Sequence, residues 1–263
     1  MSNIPTTAYY AEIVTQLDLS TNKIFQLNID HFTEEEGSGR DELVLQYFGK
    51  TGFDDLVQRI VESFEDTDPS SLIDLGSGSG TFLLPVVNSL NPEIFVAFDA
   101  TEFMLDLVKQ KHETWKLETK LGTNKKRNFY PVIGDMEQIE RSLVVNRQYL
   151  PDLPRSYAMV LSTLAIHHIP DTEEVLRGMT TIMKPDGKGI IIDAILSETS
   201  HMEDSPEHAH RGFVPDDLVA LARKYFGHVR IHELAIKCKE SASRDGTDLF
   251  MLELKEPIHH QDN

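Results

Sequence analysis

Cysteine is almost absent from these 263 residues. Cys238 stands alone, which excludes an intrachain disulfide and a cysteine-based zinc site. Positive charge is also scarce: 25 Lys and Arg face 43 Asp and Glu, a net charge of −18. A field of that sign repels nucleic-acid backbones and anionic membrane surfaces. The expected partner is therefore a small molecule, neutral or cationic, with no nucleic acid and no membrane. No run approaches the ~18 apolar residues that a bilayer-spanning helix needs, and the first residues show no basic start followed by an apolar stretch. A soluble, cytoplasmic protein is expected. What is present is an ordinary globular mixture, 40% hydrophobic and 26% charged, in a chain long enough to bury a sizeable core.

Residues 1–70 carry 14 acidic and 4 basic residues. Their apolar positions recur at helical spacing, first Ile13, Val14 and Leu17, then Leu43, Val44, Tyr47 and Phe48, then a run over 53–64. From Ser71 short apolar runs alternate with helical stretches. Strands are expected at 71–75, 94–98, 129–134, 157–162 and 189–193, with helices at 81–90, 102–111 and 173–183 between them. That alternation reads as a doubly wound α/β fold with a mostly parallel sheet. After a helix at 216–226, two alternating strands follow with no helix between them, a hairpin that brings in an antiparallel strand. The expected organisation is an N-terminal helical cover over 1–52, a ligand-binding domain over 53–257 and a tail over 258–263.

Chemistry concentrates where Asp74-Leu75-Gly76-Ser77-Gly78-Ser79-Gly80 links the first strand to the next helix. Alternating glycines let the backbone turn sharply and approach a ligand closely. The spacing is G-x-G-x-G, with Thr81 where a dinucleotide loop would carry its last Gly or Ala. No Gly-Lys-Ser/Thr follows, which excludes a P-loop. An acid at Asp74 suits a ligand with an ammonium group better than a diphosphate. Asp99 ends the second strand, where a carboxylate accepts ribose hydroxyls in nucleoside-binding sheets. Asp135 ends the third, where a carboxylate with an apolar neighbour, Met136, fits an adenine. Either acid alone could be a helix cap; three acids at three strand ends are harder to assign to capping.

With these residues in place, the chain resembles the class I S-adenosylmethionine-dependent methyltransferases. The likeness runs over about 55–255 and rests on 72–80, Asp99, Gly134-Asp135, Leu164-Ala-Ile-His-His-Ile-Pro-Asp171 and Met183-Lys-Pro-Asp-Gly-Lys-Gly. The last departs from the family's Leu-Lys-Pro-Gly-Gly at Asp186. The resemblance implies a seven-stranded, Rossmann-like sheet with an antiparallel last strand, and S-adenosylmethionine as cofactor. Carried onto this chain, it places Asp74 toward the methionine ammonium, with Gly76, Ser77, Gly78 and Gly80 along the methionine and ribose. Asp99 would bind the ribose hydroxyls and Asp135 and Met136 would address the adenine, with Ala100, Met104 and Gly134 also among the cofactor-binding residues. Ser162, Thr163 and Leu164 would stand beside the sulfonium.

Methyl transfer to a hydroxyl or acidic carbon needs proton removal near neutral pH, for which histidine has a suitable pKa. His167 and His168 follow the fourth strand and are the candidate catalytic residues. Tyr9, Tyr10 and His31 are candidate substrate contacts on the N-terminal helices, and Arg211 a candidate for an anionic group. Glu207, His208 and His210 are metal-ligating residue types, but their spacing does not place all three on one helix face, and no metal is expected. The leading reading is a small-molecule methyltransferase, the acceptor atom O, N or C being open. A protein acceptor is the nearest variant. A binding module that keeps the site without methyl transfer is the alternative of a different class, and a nicotinamide oxidoreductase is disfavoured by Thr81 and the terminal hairpin.

Overall fold

The structure, a computed structural model, describes residues 7–19, 26–27, 29–30, 39–118, 127–196, 208–239 and 246–258. Seven strands form one sheet: β1 Ser71–Leu75, β2 Ile94–Asp99, β3 Asn128–Ile133, β4 Tyr157–Thr163, β5 Met183–Ala194, β6 Phe226–Cys238 and β7 Thr247–Pro257. Their order is β3-β2-β1-β4-β5-β7-β6, with β7 antiparallel to both its neighbours. The central strands are buried from end to end in β1 and β4, and nearly so in β2. This is why they read as continuous apolar runs: both faces of a parallel sheet are covered.

Among the described residues the helices are α1 Thr7–Gln16, α2 Arg40–Phe64, α3 Leu83–Leu90, α4 Glu102–Glu118, α5 Ile139–Asn146, α6 Thr172–Ile182 and α7 Pro215–Ala222. No helix among these residues is long and apolar enough to cross a membrane. The helix α2 is bent at Gly49, where φ 64 and ψ 162 leave the helical region; without a Cβ this residue takes the bend at little cost. Its inner half buries Leu56, Ile60 and Phe64, and its outer half carries Val44 and Phe48 toward the carboxyl ends of the strands. The stretch Lys184-Pro-Asp-Gly-Lys188, expected as a connection before the fifth strand, lies inside β5. It pairs with β4 across a register shift, and a Cβ at Gly187 would press on the Tyr157, Ala158 and Lys184 carbonyl oxygens.

Tyr9, Tyr10, Ile13 and Leu17 of α1 belong to the same hydrophobic core as the sheet. The Tyr9 hydroxyl donates to Asn146 Oδ1 on α5, and its ring lies edge-on to Tyr149. Burial, then Tyr10 and Tyr149, raise its phenol pKa far above the ordinary value. Cys238 ends β6 opposite Thr247, and neither residue is exposed.

Candidate active site

The sheet's strand order reverses between β1 and β4, and an open α/β sheet leaves its crevice at that point, beyond the carboxyl ends of the strands. A cleft open to solvent lies there. Gly76, Ser77 and Gly78 form one wall, Asp99, Ala100, Thr101 and Met104 a second, and Gly134, Asp135, Met136 and Glu137 a third. Thr163, Leu164, Ala165, His168, Ile169 and Pro170 close the far end. The outer half of α2 adds Arg40 and Val44 at the mouth.

The glycine loop is pinned by its neighbours. The Phe98 carbonyl at the end of β2 accepts from both Gly76 N–H (2.8 Å) and Ser77 N–H (3.0 Å), and Gly78 N–H donates to Asp99 Oδ2 at 2.8 Å. The other Asp99 oxygen accepts from the backbone and hydroxyl of Thr101, both at 3.0 Å. Asp99 is thus a local cap and a wall of the cleft at once. On the outer side, Ser79 and Thr81 hydroxyls donate to Asp41 Oδ1 at 2.7 and 2.6 Å. Lys111 donates to the Ser79 carbonyl at 2.7 Å and pairs with Asp41. Burial alone would raise the Asp41 pKa, but the bonds from Lys111, Thr81 and Ser79 outweigh it and hold the carboxyl below its usual range.

Two glycines show what the loop is for. A Cβ on Gly78 would meet no protein atom within 4 Å and would project into open space, at a φ of +51. A Cβ on Gly76 would lie 2.5 Å from Ala165 Cβ, so the loop and the β4 end can approach only with glycine there. Beneath the loop, Asp74 is 2% exposed and its Oδ1 has no hydrogen-bond partner. Burial first, and then the charge of Asp99, raise the Asp74 pKa well above normal, and burial raises that of Asp99 against the bonds from Thr101 and Gly78. Ser77 Oγ and Thr163 Oγ1 are likewise buried without partners. An orphaned carboxylate oxygen, two orphaned hydroxyls and an open backbone cradle fit a ligand bearing a cation and hydroxyls.

Of the residues expected to bind cofactor, Gly76, Ser77, Gly78, Asp99, Ala100, Met104, Gly134, Asp135, Met136, Thr163 and Leu164 line the cleft. Asp74, Gly80 and Ser162 lie behind its wall. Gly80 faces Val108 of α4, and the Ser162 hydroxyl is committed to the Leu75 carbonyl at 2.9 Å. Asp135 caps the turn at 136–138, accepting from Glu137 N–H at 2.9 Å. Leu164 holds φ +53 on the cleft surface, a conformation that costs an L-residue roughly 1–2 kcal/mol and collects at functional sites.

The expected substrate contacts are not gathered here. Tyr9 and Tyr10 are core residues, because α1 packs on β3 and α5 rather than over the cleft. Arg211 is exposed and does not line it, and His31 lies outside the described residues. His168 lines the cleft, whereas His167 sits behind it with Nδ1 2.8 Å from Asp193 Oδ1. His210, expected beside His208, turns away to the Ile169 carbonyl at 3.0 Å, and Glu207 is outside the described residues. Asp193, wholly buried at the end of β5, was not among the expected site residues; its signal was an acid closing the apolar run Ile190-Ile-Ile.

A glycine loop at the switch point of a sheet whose seventh strand is inserted antiparallel defines a nucleoside-binding α/β protein of the methyltransferase type. Residues 66–233 match the family described as methyltransferase domain. The chain belongs to that family, as an S-adenosylmethionine-dependent methyltransferase. Similar solved structures include phosphoethanolamine N-methyltransferase 2 of Haemonchus contortus in complex with S-adenosyl-L-methionine, at 14% identity and TM-score 0.62. The likeness spans 88% of this chain and 60% of that one. A SAM-dependent methyltransferase of Aquifex aeolicus is similar at 15% identity and TM-score 0.53, over 83% and 97% of the two chains. One from Clostridium acetobutylicum is similar at 12% and 0.52, over 77% and 89%. At these identities the likeness is one of fold. No curated protein sequence matches the chain.

Proposed function

We propose that this methyltransferase acts on a small-molecule acceptor, neutral or cationic, rather than on nucleic acid or at a membrane, and that it works in the cytoplasm. The net charge of −18 supports the choice of partner. The observation that carries the site assignment is the open Gly78 cradle flanked by the orphaned Ser77 and Thr163 hydroxyls, with the orphaned Asp74 oxygen behind it. When bound, S-adenosylmethionine supplies a sulfonium methyl open to in-line displacement, so the protein contributes mainly orientation and electrostatics. Asp74 and the glycine loop hold the methionine part, Asp99 the ribose hydroxyls, and Asp135 and Met136 the adenine. Thr163 and Leu164 border the methyl. His168 meets the acceptor from the far end of the cleft, and His167, anchored by Asp193, positions it. Of the N-terminal segment expected as a cover, the outer half of α2 serves the mouth through Arg40 and Val44, whereas α1 packs elsewhere, on β3 and α5.

Calorimetric titration with S-adenosylmethionine, its demethylated product and NADH tests the cofactor site. Micromolar binding of the first two and none of the third is expected; the reverse pattern would overturn the assignment. Release of demethylated cofactor is then followed with a panel of amines, phenols and carboxylic acids, and separately with protein and RNA. Turnover confined to a macromolecule would refute the small-molecule reading. His168→Ala should leave cofactor affinity near wild type and lower turnover by about 100-fold or more, within the range of lost acid–base or orienting groups.

A further inference from the structure

Behind the far end of the cleft, three imidazoles from two distant segments meet. His167 and His168 lie on the short turn after β4, their ring centroids 4.2 Å apart. His208 comes from the segment after β5, and its centroid is 4.9 Å from each of them, edge-on to both. One nitrogen from each residue falls within 4.8 Å of the others, and the first two rings are buried and the third half-buried. We propose that these three histidines bind a divalent transition metal of the zinc class.

Several features argue for a built site. Backbone fixes the approach of the second segment: Ala209 and His210 N–H both donate to the His167 carbonyl at 2.9 Å, and Phe213 pairs with Ala194. Asp193 fixes the His167 ring. Its Oδ1 lies 2.8 Å from Nδ1, and its Oδ2 accepts from the His167 backbone N–H at 3.2 Å. A neutral His167 that donates its Nδ1–H to this carboxylate carries its lone pair on Nε2. This carboxylate–histidine arrangement is the one that orients imidazoles toward a metal and raises their basicity. Tetrahedral zinc with bonds of about 2.0–2.1 Å holds its ligand nitrogens roughly 3.3 Å apart. Binding draws the three nitrogens from within 4.8 Å of one another to that spacing.

The donor set selects the ion. Three neutral imidazoles suit zinc and its neighbours, whereas magnesium and calcium prefer an oxygen cage. Three imidazoles are the protein donor set of one kind of catalytic zinc site, in which the fourth position takes an oxygen donor. Because His168 borders the cleft, that position serves an oxygen-bearing acceptor: a hydroxyl, enol or carboxylate. Held as a ligand, His168 acts on the acceptor through the ion and not as a free base. The acceptor role rests on the reading of the cleft given above; binding of the ion does not.

The test is a Zn²⁺ titration of the full chain, stripped with a chelator and dialysed, in competition with a chromophoric chelator. One equivalent bound with submicromolar affinity is expected, unaffected by excess Mg²⁺. His208→Ala and His167→Ala should each weaken it by about 100-fold or more, and Asp193→Asn by about 10–100-fold. The doublet His259→Ala/His260→Ala should not alter it, which separates the site from adventitious binding at the tail. Co²⁺ should give the visible bands of a four-coordinate site in the wild type and lose them in His208→Ala. No stoichiometric binding, or binding indifferent to His208→Ala, would overturn the proposal. Should His208→Ala fail to fold, His208→Gln with the Co²⁺ spectrum decides in its place. Zinc binding with no affinity for S-adenosylmethionine would refute the proposed cofactor site and leave the metal site standing.

Discussion

Replacing Asp74 by asparagine is expected to move stability and affinity apart. Asp74 is a buried acid with an orphaned oxygen, and burial together with Asp99 raises its pKa well above normal. Between the ordinary carboxylate value and that raised one, the folded protein holds a proton that the unfolded chain has released. Stability therefore falls as pH rises through this window and is fully present below it. The asparagine variant escapes this penalty, so its melting temperature at pH 8 should be no lower than wild type. Affinity should fall. A hydrogen bond to a charged group contributes about 1.5–3 kcal/mol, which is roughly a 10–150-fold loss at about 1.4 kcal/mol per decade. The ammonium favours the ionised carboxyl, so wild-type affinity should rise with pH across the same window, and the variant should show a shallower slope that remains from Asp99. Calorimetry and thermal melts from pH 5 to about pH 9 cover the ordinary and raised ranges. A variant that binds like wild type and melts lower would show that Asp74 is only a structural residue.

Gly78→Val should keep the circular dichroism of the wild type, lower the melting temperature slightly because φ +51 costs an L-residue about 1–2 kcal/mol, and abolish cofactor binding; retained binding would refute the cradle. Tyr9→Phe removes the bond to Asn146 and should cost about 1 kcal/mol in urea unfolding, with turnover unchanged, whereas a KM effect would return Tyr9 to the substrate site. Lys111→Met frees the Ser79 carbonyl and Asp41. At about one-third exposure the lost contacts are worth no more than about 1 kcal/mol, so cofactor affinity should fall less than about fivefold; a loss of two decades would mean that Lys111 touches the ligand.

The central strands and their loop were legible because a buried parallel strand is apolar without alternation, and glycines directly after it mark a close backbone approach. The same local logic failed at Lys184-Pro-Asp-Gly-Lys188, where turn residues sit inside β5 because the neighbouring strand accommodates them with a register shift. Tyr9 and Tyr10 extend the helical spacing of Ile13 and Leu17, but spacing does not say whether that face meets a cleft or a core; contact with β3 and α5 decided it. The histidine cluster was beyond local reading. His208 is some forty residues from His167 in the chain, and only the return of the backbone to the His167 carbonyl brings them together. His210, the nearer neighbour in sequence, points elsewhere.

The solitary thiol at the end of β6 has a practical consequence. Cys238 is fully buried opposite Thr247, so a thiol reagent reaches it only when the packing around that end of β6 opens. With no second sulfhydryl to compete, the rate of modification is a clock for one local opening event, and its dependence on reagent concentration separates the opening rate from the opening equilibrium. The wild-type chain therefore carries its own reporter at the sheet edge, beside the outer half of α2, where Lys239 N–H donates to the Tyr47 carbonyl, and loosening there caused by any active-site substitution can be timed without introducing a label.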